Sequence, residues 1–520
     1  MVPLEDRKVD IFLVIDLGTT GLKVGLINDS GRVLGTGYSE YEISAPEEGY
    51  AEQNPDDWWR GFIQSCQDLS KKLPGEYSRI TGIGICGQMH TQVYLDSSEK
   101  VLRPAITWMD QRSSGIVSRI NNNPVSKKLV FEHTQNIAST TYTAPQVSWV
   151  KENQQELWRK VDHVLIAKDY LKYRLTGNMV TDFSDACGTL LFNVEKRAWS
   201  KDMFRLFGIN RDLFPEALPS DEIIGVVSYE AARFTGLKAG TPVANGSTDN
   251  SAAALGAGMV KSGQVTLIIG TAGVISVCSD KPLPDVENRT LCWNYCLRDR
   301  WITLGITQTA GESLNWFKKA FNKGTGVDPA PDDIFEQYNK SIEDIPDGSD
   351  GLIFLPYLNG ERTPYWDSNA RGVYFGINLL STKAHFIKAI MEGVSFALRN
   401  CVETVESLGI TIDEIRAVGG GLKSDGWLNT LGKIIRKPIR TVKMADTGLV
   451  GNMLICRKAL GYSGSIAELA GRVVEFEKTI LYREPSPIYE RQYAIFLDLY
   501  NNLKASFRNS MDEQYRRSSQ

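Results

Sequence analysis

An aspartate at position 249 stands in a glycine-bounded turn, directly before a run of small residues that predicts a helix. Residues 246–250 read Gly-Ser-Thr-Asp-Asn. One interpretation is a helix N-cap, for which aspartate is a favoured residue. The other is a general base that takes a proton from a substrate hydroxyl, with the helix N-terminus stabilising negative charge on a transferred phosphoryl group. The adjacent Asn250 offers a donor and an acceptor, which suits a hydroxyl-rich ligand.

A second carboxylate, Asp16, precedes a turn of glycines and threonines within residues 14–23. Such a turn offers backbone N–H groups and hydroxyls to phosphate oxygens, and a carboxylate beside it could hold magnesium through water. The alternative is an ordinary β-turn with an aspartate at a strand end. The candidate phosphate-binding residues are Gly18, Thr19, Thr20 and Lys23.

Two further glycine-rich turns occur in the second half of the chain, at residues 270–273 and 419–421. Glycine allows a flat ring or a ribose to approach the backbone closely. Each turn alone could be only a tight connection, but together they predict a nucleotide held from two sides of a cleft. The candidate nucleotide-binding residues are Gly270, Thr271, Gly273, Gly311, Gly420, Gly421, Ser424 and Asp425.

Met89 and His90 follow a predicted buried strand, and Asp110 lies within the later segment Trp-Met-Asp-Gln-Arg. Together they supply an apolar wall and several hydrogen-bonding groups, as a polyhydroxylated ligand requires. The alternative for His90 is a structural role. Because no cysteine or aspartate stands at ligand spacing from it, we predict no metal at His90.

The chain is predicted to contain two α/β domains, over residues 1–258 and 259–510. Each half opens with a strand, a glycine turn and a second strand, and 520 residues exceed what one core usually supports. Residues 465–507 have a largely helical pattern. Residues 82–87 match G-x-G-x-x-G, but a strand and not a helix is predicted to follow, so we reject a dinucleotide site.

Composition favours small-molecule partners. The net charge of −4 offers no electrostatic attraction for nucleic acid or for an anionic membrane. The N-terminal residues lack a signal-peptide pattern and no apolar run reaches 18 residues, so we expect a cytoplasmic protein. The eight cysteines are expected to be buried reduced thiols. A homodimer is an open option.

Taken in order, these segments resemble the FGGY carbohydrate kinases of the actin-like ATPase superfamily, and among them most the xylulokinases. The likeness extends to residues 144–153, 181–189, 354–364 and 372–392 and covers nearly the whole chain. It implies two actin-like (ribonuclease H-like) domains around a central cleft. The N-terminal domain would hold the sugar, the first phosphate loop and the catalytic aspartate, and the C-terminal domain would bind the nucleotide.

The resemblance also implies roles for individual residues. Asp16 would organise Mg²⁺, and Asp249 would be the catalytic base. Met89 and His90 would face the sugar, with Asp249 and Asn250 opposite. The loop at Thr271 would bind phosphate, and the glycines near 420 would bind adenosine. ATP and Mg²⁺ are therefore the expected cosubstrate and cofactor, and the primary hydroxyl of a ketopentose, D-xylulose first, is the expected acceptor.

Three positions and one segment depart from the family pattern. Thr91 stands where glycine is usual, Met109 where asparagine is common, and Ala272 where serine is usual. The first two lie on the sugar side, so the fit of the ketose is expected to change. Residues 446–452 replace an alanine-rich segment.

Three other functions remain open from the sequence. The same chemistry could act on another ketose, polyol or aldonate, such as ribulose, L-xylulose, erythritol or gluconate. An actin- or chaperone-like ATPase switch would need no sugar pocket, so Asp249 and the Met89–His90 pair argue against it. A silent sugar sensor is disfavoured because both carboxylates are present.

Overall fold

The structure is a computed structural model that describes residues 9–321, 334–443, 446–482 and 484–518, with side chains described as far as residue 510. Two α/β halves are each built on a seven-stranded mixed sheet. This confirms the predicted two-part α/β architecture. Among the described residues, no helix is long and apolar enough to cross a membrane.

The first half contains the following elements. Its strands are β1 (Ile11–Leu17), β2 (Gly21–Asn28), β3 (Val33–Glu40), β4 (Glu52–Gln53), β5 (Ile80–Gly87), β6 (Gln92–Leu95), β7 (Ala105–Ile106), β8 (His163–Ile166), β9 (Val180–Asp182), β10 (Phe192–Asn193), β11 (Ala198–Trp199), β12 (Glu216–Leu218), β13 (Ile223–Val226), β14 (Pro242–Ala244) and β15 (Ser247–Thr248). Its helices are α1 (Pro55–Lys72), α2 (Pro74–Tyr77), α3 (Ser114–Asn121), α4 (Pro124–Thr134), α5 (Thr143–Asn153), α6 (Gln155–Trp158), α7 (Ala167–Thr176), α8 (Phe183–Cys187), α9 (Lys201–Phe207), α10 (Tyr229–Thr235) and α11 (Asp249–Gly256).

The second half repeats the plan with fewer strands. Its strands are β16 (Gln264–Ile269), β17 (Gly273–Ser279), β18 (Leu291–Asn294), β19 (Trp301–Thr307), β20 (Ile353–Leu355), β21 (Val373–Phe375), β22 (Glu414–Val418), β23 (Ile439–Val442) and β24 (Phe476–Ile480). Its helices are α12 (Gly311–Phe321), α13 (Ile334–Ser341), α14 (Lys383–Glu406), α15 (Asp425–Ile435), α16 (Thr447–Ala459), α17 (Ile466–Val473) and α18 (Pro487–Ser518).

The two sheets share one local topology. The first runs β13-β14-β5-β1-β2-β3, with β15 also beside β5, and the second runs β18-β19-β17-β16-β22-β23-β24. β1 is antiparallel to β2 and parallel to β5, and β16 is likewise antiparallel to β17 and parallel to β22. The predicted strand–turn–strand repeat is therefore confirmed, and the strand β6 after β5 agrees with the rejection of a dinucleotide site.

Residues 465–507 are largely helical, as predicted, but they also contain one strand that was not predicted. Helices α17 and α18 flank a strand, β24, that pairs antiparallel with β23 at the sheet edge. Its side chains alternate between half-buried and exposed, from Phe476 to Ile480. That period of two is the strand pattern, which the helical patterns on both sides obscured.

Helices α11 and α16 join the halves through unusually close backbones. A Cβ placed on Gly256 would lie 1.8 Å from the Thr447 carbonyl oxygen, and one on Gly451 would lie 1.9 Å from the Ala252 carbonyl oxygen. Only glycine permits this approach. The segment 446–452, which departs from the alanine-rich family pattern, thus still provides small residues where the helices touch.

Candidate active site

Three strands of the first sheet end side by side and bring the two predicted carboxylates to one edge. β1 and β15 both run parallel to β5, and both Asp16 and Ser247 lie opposite Cys86. Neighbouring strands are about 4.8 Å apart, so Asp16 and Ser247 are separated by roughly 10 Å. Asp249 follows two residues after Ser247, and it therefore shares this edge with Asp16.

Asp249 is not the N-cap of α11. Thr248 holds that position, and its hydroxyl accepts a hydrogen bond from the Ser251 N–H at 3.3 Å. The Oδ1 atom of Asp249 accepts the N–H of Asn250 at 2.6 Å. Its Oδ2 atom has no hydrogen-bond partner among the described residues. The N-cap interpretation was wrong, and one carboxylate oxygen remains available to a ligand.

The electrostatic environment of Asp249 suits a base that works near neutral pH. Burial raises its pKa to about 7, the negative charge of Asp16 also raises it, and the Asn250 N–H lowers it. A general base is most effective when its pKa lies near the operating pH. Asp249 can therefore accept a proton and also release it.

Asp16 is the penultimate residue of β1, beside the first hairpin turn. Its Oδ1 atom accepts a hydrogen bond from the Cys86 thiol at 3.4 Å. Burial raises the pKa of Asp16, the Cys86 hydrogen bond lowers it, and Asp446 raises it. No group of three or more His, Cys, Asp or Glu side chains that could hold a metal occurs in the described part of the chain. A single carboxylate fits Mg²⁺, which usually takes one or two carboxylates and completes its shell with water and phosphate oxygens.

The first hairpin turn is held through its carbonyl oxygens. The Tyr41 hydroxyl donates to the Gly18 carbonyl, and Gln53 Nε2 donates to the Thr19 carbonyl at 2.6 Å. Trp108 Nε1 donates to the Thr19 hydroxyl oxygen at 2.9 Å. The N–H groups of Thr19 and Thr20 have no partner among the described residues. The turn therefore keeps donors free for phosphate oxygens.

Lys23 forms an ion pair that crosses between the halves. Its Nζ atom lies 2.9 Å from Oδ2 of Asp446, the N-cap of α16, whose Oδ1 accepts the Leu449 N–H at 3.3 Å. The hydrogen bond to Asp446 raises the pKa of Lys23. Asp446 thus places a negative charge next to the loop that is predicted to bind phosphate.

Removing this charge should strengthen nucleotide binding. We expect Asp446→Asn, which keeps a capping side chain, to lower KM for MgATP by about two- to five-fold, since exposed ion pairs contribute about 0–1 kcal/mol. Glu475→Gln is the matched control, because it breaks the exposed Lys443 pair, which has the same 2.9 Å separation. Steady-state kinetics at varied MgATP measure both, and a raised KM in Asp446→Asn would mean that the pair orients Lys23 for the nucleotide.

His90, which is predicted to face the sugar, is fixed as a neutral acceptor. Its Nδ1 lies 2.7 Å from the Gly188 carbonyl oxygen, so Nδ1 carries the proton and Nε2 presents a lone pair. Burial lowers its pKa to about 4. The Tyr142 and Trp293 rings meet it edge-on, with centroids at 5.1 and 5.8 Å. This geometry suits a hydroxyl donor on the ligand.

Tyr142 and Trp293 were not predicted as site residues. Tyr142 directly precedes α5, within reach of a segment already noted in the sequence. Trp293 lies on β18 of the second half, so its contact with His90 depends on how the two halves meet. No local sequence pattern could have indicated that contact.

Met89 is buried against the loop that contains Gly188, as His90 is, whereas the Thr91 side chain bonds to Gln88. A Cβ on Gly188 would lie 2.9 Å from both the Met89 side chain and the His90 ring. The Thr91 hydroxyl is buried and donates to Gln88 Oε1 at 3.0 Å. The expectation that the Thr91 side chain changes the fit of the ketose is therefore not supported, because this side chain is fully buried and its hydroxyl bonds to Gln88.

Asp110 is fully buried and already saturated. Its oxygens accept hydrogen bonds from the Ala51 N–H at 2.7 Å and from the Arg112 backbone N–H, Nε and Nη2 at 2.8–2.9 Å. The carboxylate has no exposed surface. This geometry makes Asp110 a support for the loop after β7 and leaves its carboxylate no exposed surface for the predicted ligand contact.

The glycine turns of the second half converge around the end of β16. The Gly311 N–H donates to the Gly270 carbonyl at 2.8 Å, and a Cβ on Gly311 would lie 2.6 Å from that oxygen. Gly419 has φ +118°, and a Cβ there would lie 2.4 Å from the Ile269 carbonyl oxygen. Gly270, Thr271 and Gly420 are exposed, so this side presents open backbone to a ligand.

Gly273, Gly421, Ser424 and Asp425 are placed differently. Gly273 is buried, and a Cβ on Gly421 would lie 2.7 Å from Ile269. The Ser424 hydroxyl caps α15 and donates to Asn339 Oδ1 at 2.6 Å, and Asp425 pairs with Lys478. Their backbone shapes the turn, but the two polar side chains are engaged elsewhere.

Comparison with known proteins identifies the class. The family model for the N-terminal domain of the FGGY family of carbohydrate kinases matches residues 11–256, and the model for its C-terminal domain matches residues 265–460. Together with the two α/β halves and an aspartate whose pKa is about 7, these matches define a phosphotransferase that acts on a sugar hydroxyl. The chain belongs to the FGGY family of carbohydrate kinases.

Named relatives include kinases for more than one sugar. The xylulose kinase of Bacillus subtilis is 34% identical over 489 residues, which span 94% of this chain and 95% of that protein. A solved xylulose kinase from Lactobacillus acidophilus has a TM-score of 0.88 at 26% identity, covering 96% of this chain and 99% of that chain. A gluconate kinase from the same species has a TM-score of 0.88 at 25% identity, covering 96% and 100%.

Proposed function

We propose that this protein is an ATP-dependent kinase that transfers the γ-phosphoryl group to a primary hydroxyl of a ketopentose, with D-xylulose, converted to D-xylulose 5-phosphate, as the first candidate. The observation that carries the proposal is the half-buried Asp249, whose pKa of about 7 and free Oδ2 atom suit a base for a sugar hydroxyl. The similarity to named xylulose kinases supports the choice of sugar.

In this proposal Asp249 does the proton chemistry. Its Oδ2 atom accepts the proton of the sugar hydroxyl as the oxygen attacks the γ-phosphorus, and the bond from phosphorus to the bridging oxygen of ADP breaks in line. The product sugar carries the phosphoryl group, and Asp249 later returns its proton to water. Asn250, next to it at the helix N-terminus, hydrogen-bonds another sugar hydroxyl.

Sugar orientation falls to His90 and its aromatic neighbours. The lone pair on Nε2 accepts a hydroxyl hydrogen, and Met89, Tyr142 and Trp293 supply apolar surface against the carbon chain. Because Trp293 comes from the second half, the site is enclosed only when both halves meet. Such enclosure excludes water and limits ATP hydrolysis.

Phosphate positioning falls to the two hairpin turns. The free N–H groups of Thr19 and Thr20 and the ammonium of Lys23 bind phosphate oxygens from the first half, and Gly270 and Thr271 do so from the second. Asp16 would hold Mg²⁺, which neutralises phosphate charge when it is bound. Gly420 and its neighbours would contact the adenosine.

Gluconate is the second candidate acceptor, because a gluconate kinase is as similar in fold as a xylulose kinase. Both sugars carry a primary hydroxyl beside a chain of secondary ones. At C1 gluconate has a carboxylate and xylulose a hydroxymethyl group; at C2 gluconate has a hydroxyl and xylulose a ketone, and gluconate is one carbon longer. The choice between them therefore depends on which side chains would contact C1 and C2 of the acceptor.

The test is ADP release with MgATP over D- and L-ketopentoses, pentitols, glycerol and gluconate, with Asp249→Asn in parallel. Turnover with D-xylulose that is lost in the variant is the expected result. Turnover with gluconate alone would replace the substrate and keep the class. Sugar-independent ATP hydrolysis that survives the substitution would overturn the proposal.

A further inference from the structure

Five titratable side chains form a fully buried group, which we call the buried charge cluster. The cluster lies next to the turn that carries Asp249, which we call the Asp249 loop. Lys168 Nζ lies 3.0–3.2 Å from carboxylate oxygens of three aspartates, and Lys172 Nζ lies 2.9 Å from one of them. None of these side chains is exposed to solvent. The members are Lys168, Asp169, Lys172, Asp182 and Asp185.

Within the cluster two lysines lie among three aspartates, so groups of opposite charge are paired. Burial raises the pKa of Asp185 well above its usual range and lowers the pKa of Lys172 to about 8. Burying such ions still costs free energy, and well-packed apolar residues of similar volume often give equal or greater stability. Stability alone is therefore a poor explanation for the cluster.

The cluster is connected to both ends of the turn that carries Asp249. Lys172 Nζ donates to the Asn245 carbonyl oxygen at 3.1 Å and to the Asn245 side chain. At the other end, Oδ2 of Asp182 accepts the Ser184 hydroxyl at 2.6 Å. The Ser184 oxygen in turn accepts the Thr248 N–H at 3.1 Å, one residue before Asp249.

We propose that the buried charge cluster and Ser184 are positioning residues for the reaction, which fix the backbone from Asn245 to Thr248 and so set the place of the Asp249 carboxylate. This inference rests on the proposed function, with Asp249 as base. A base must sit within hydrogen-bond reach of its proton, and a misplacement of about 1 Å can cost about 100-fold in rate.

Ser184→Ala and Ser220→Ala form a matched pair of tests. Both hydroxyls donate to the same oxygen of Asp182, at 2.6 and 3.0 Å, and both are buried. Only the Ser184 side chain also accepts the Thr248 N–H. We expect Ser184→Ala to lower kcat by about 10-fold or more with KM for MgATP unchanged, and Ser220→Ala to keep kcat within about two-fold.

A double substitution separates positioning from folding. If Ser184 acts through Asp249, Ser184→Ala should lower kcat in the wild-type background and cause no further loss in the Asp249→Asn background. The loss of Tm that follows from removing its hydrogen bonds should be the same in both backgrounds. Equal loss of kcat in the two serine variants, wild-type kcat in Ser184→Ala, or a full effect in the Asp249→Asn background would each overturn the inference. Failure of the wild-type protein to phosphorylate any sugar would instead count against the proposed function.

Discussion

Replacing Asp249 by asparagine should reduce kcat by about 1,000-fold or more while KM for MgATP stays within a few-fold of wild type. A positioned general base contributes about 10²- to 10⁴-fold, and asparagine keeps the shape of the side chain without accepting a proton. Steady-state ADP release with the sugar that turns over measures the loss.

Asp212→Asn is the control for this experiment. Asp212 is an exposed aspartate in a short helical turn of the same half and is not among the predicted ligand-binding residues, so the substitution removes the same charge without removing a predicted ligand contact. It should leave kcat unchanged. A kcat within ten-fold of wild type in Asp249→Asn would contradict the role of Asp249 as base.

The raised pKa of Asp249 also predicts two pH effects of known sign. The basic form accumulates as pH rises through about 7, so kcat/KM should increase through that pH and then level off. In the unfolded chain this carboxyl titrates near 3.9, so its ionisation in the folded protein costs stability above that pH and costs most above about 7. Asp249→Asn should therefore have a higher Tm than wild type at pH 8, and the difference should vanish near pH 4. A Tm difference that does not change with pH would contradict the raised pKa.

Replacing Asp16 by asparagine should lower kcat/KM for MgATP by about 100-fold or more and raise the Mg²⁺ concentration needed for half-maximal rate. The Asp16 carboxylate is the charged oxygen ligand that this residue would offer to Mg²⁺. Stabilisation of phosphoryl charge by a bound cation is worth about several kcal/mol. Initial rates over a titration of free Mg²⁺ at fixed ATP give both quantities.

The same Asp212→Asn variant serves as control for Asp16. The Asp16 substitution also relieves the charge that raises the pKa of Asp249, so the pH dependence of the residual activity should move to lower pH. A Mg²⁺ requirement identical to wild type would mean that Asp16 does not organise the metal. In that case the loss of activity would come from a disturbed first hairpin turn and not from a lost metal ligand.

Local patterns were enough for the features whose physics is local. Glycines and threonines between two apolar runs predicted the hairpins of both halves, because the alternation of strands and the backbone freedom of glycine act over a few residues. The pairing of Asp16 with Asp249 followed only from the order of the motifs and the family resemblance. The parallel register of β1, β5 and β15 then supplied its geometric reason.

Some roles could not be predicted because they depend on which partner a polar group finds. Ser424 and Asp110 have residue types suited to ligand binding, but one caps a helix and the other is saturated by Arg112 and the Ala51 N–H. Thr91 likewise bonds to Gln88. A buried polar group must be satisfied, and the chain fold decides by what.

The sequence by itself determined the two α/β halves, their glycine turns, the two carboxylates and the kinase family, since these rest on short-range patterns and on motifs in a fixed order. Only the tertiary structure decided that Thr248 caps α11 in place of Asp249, that Trp293 of the second half closes on His90, and that buried lysines and aspartates anchor the Asp249 loop. The reason is that burial, and the partners it imposes on charges and hydrogen bonds, arises from residues far apart in the chain.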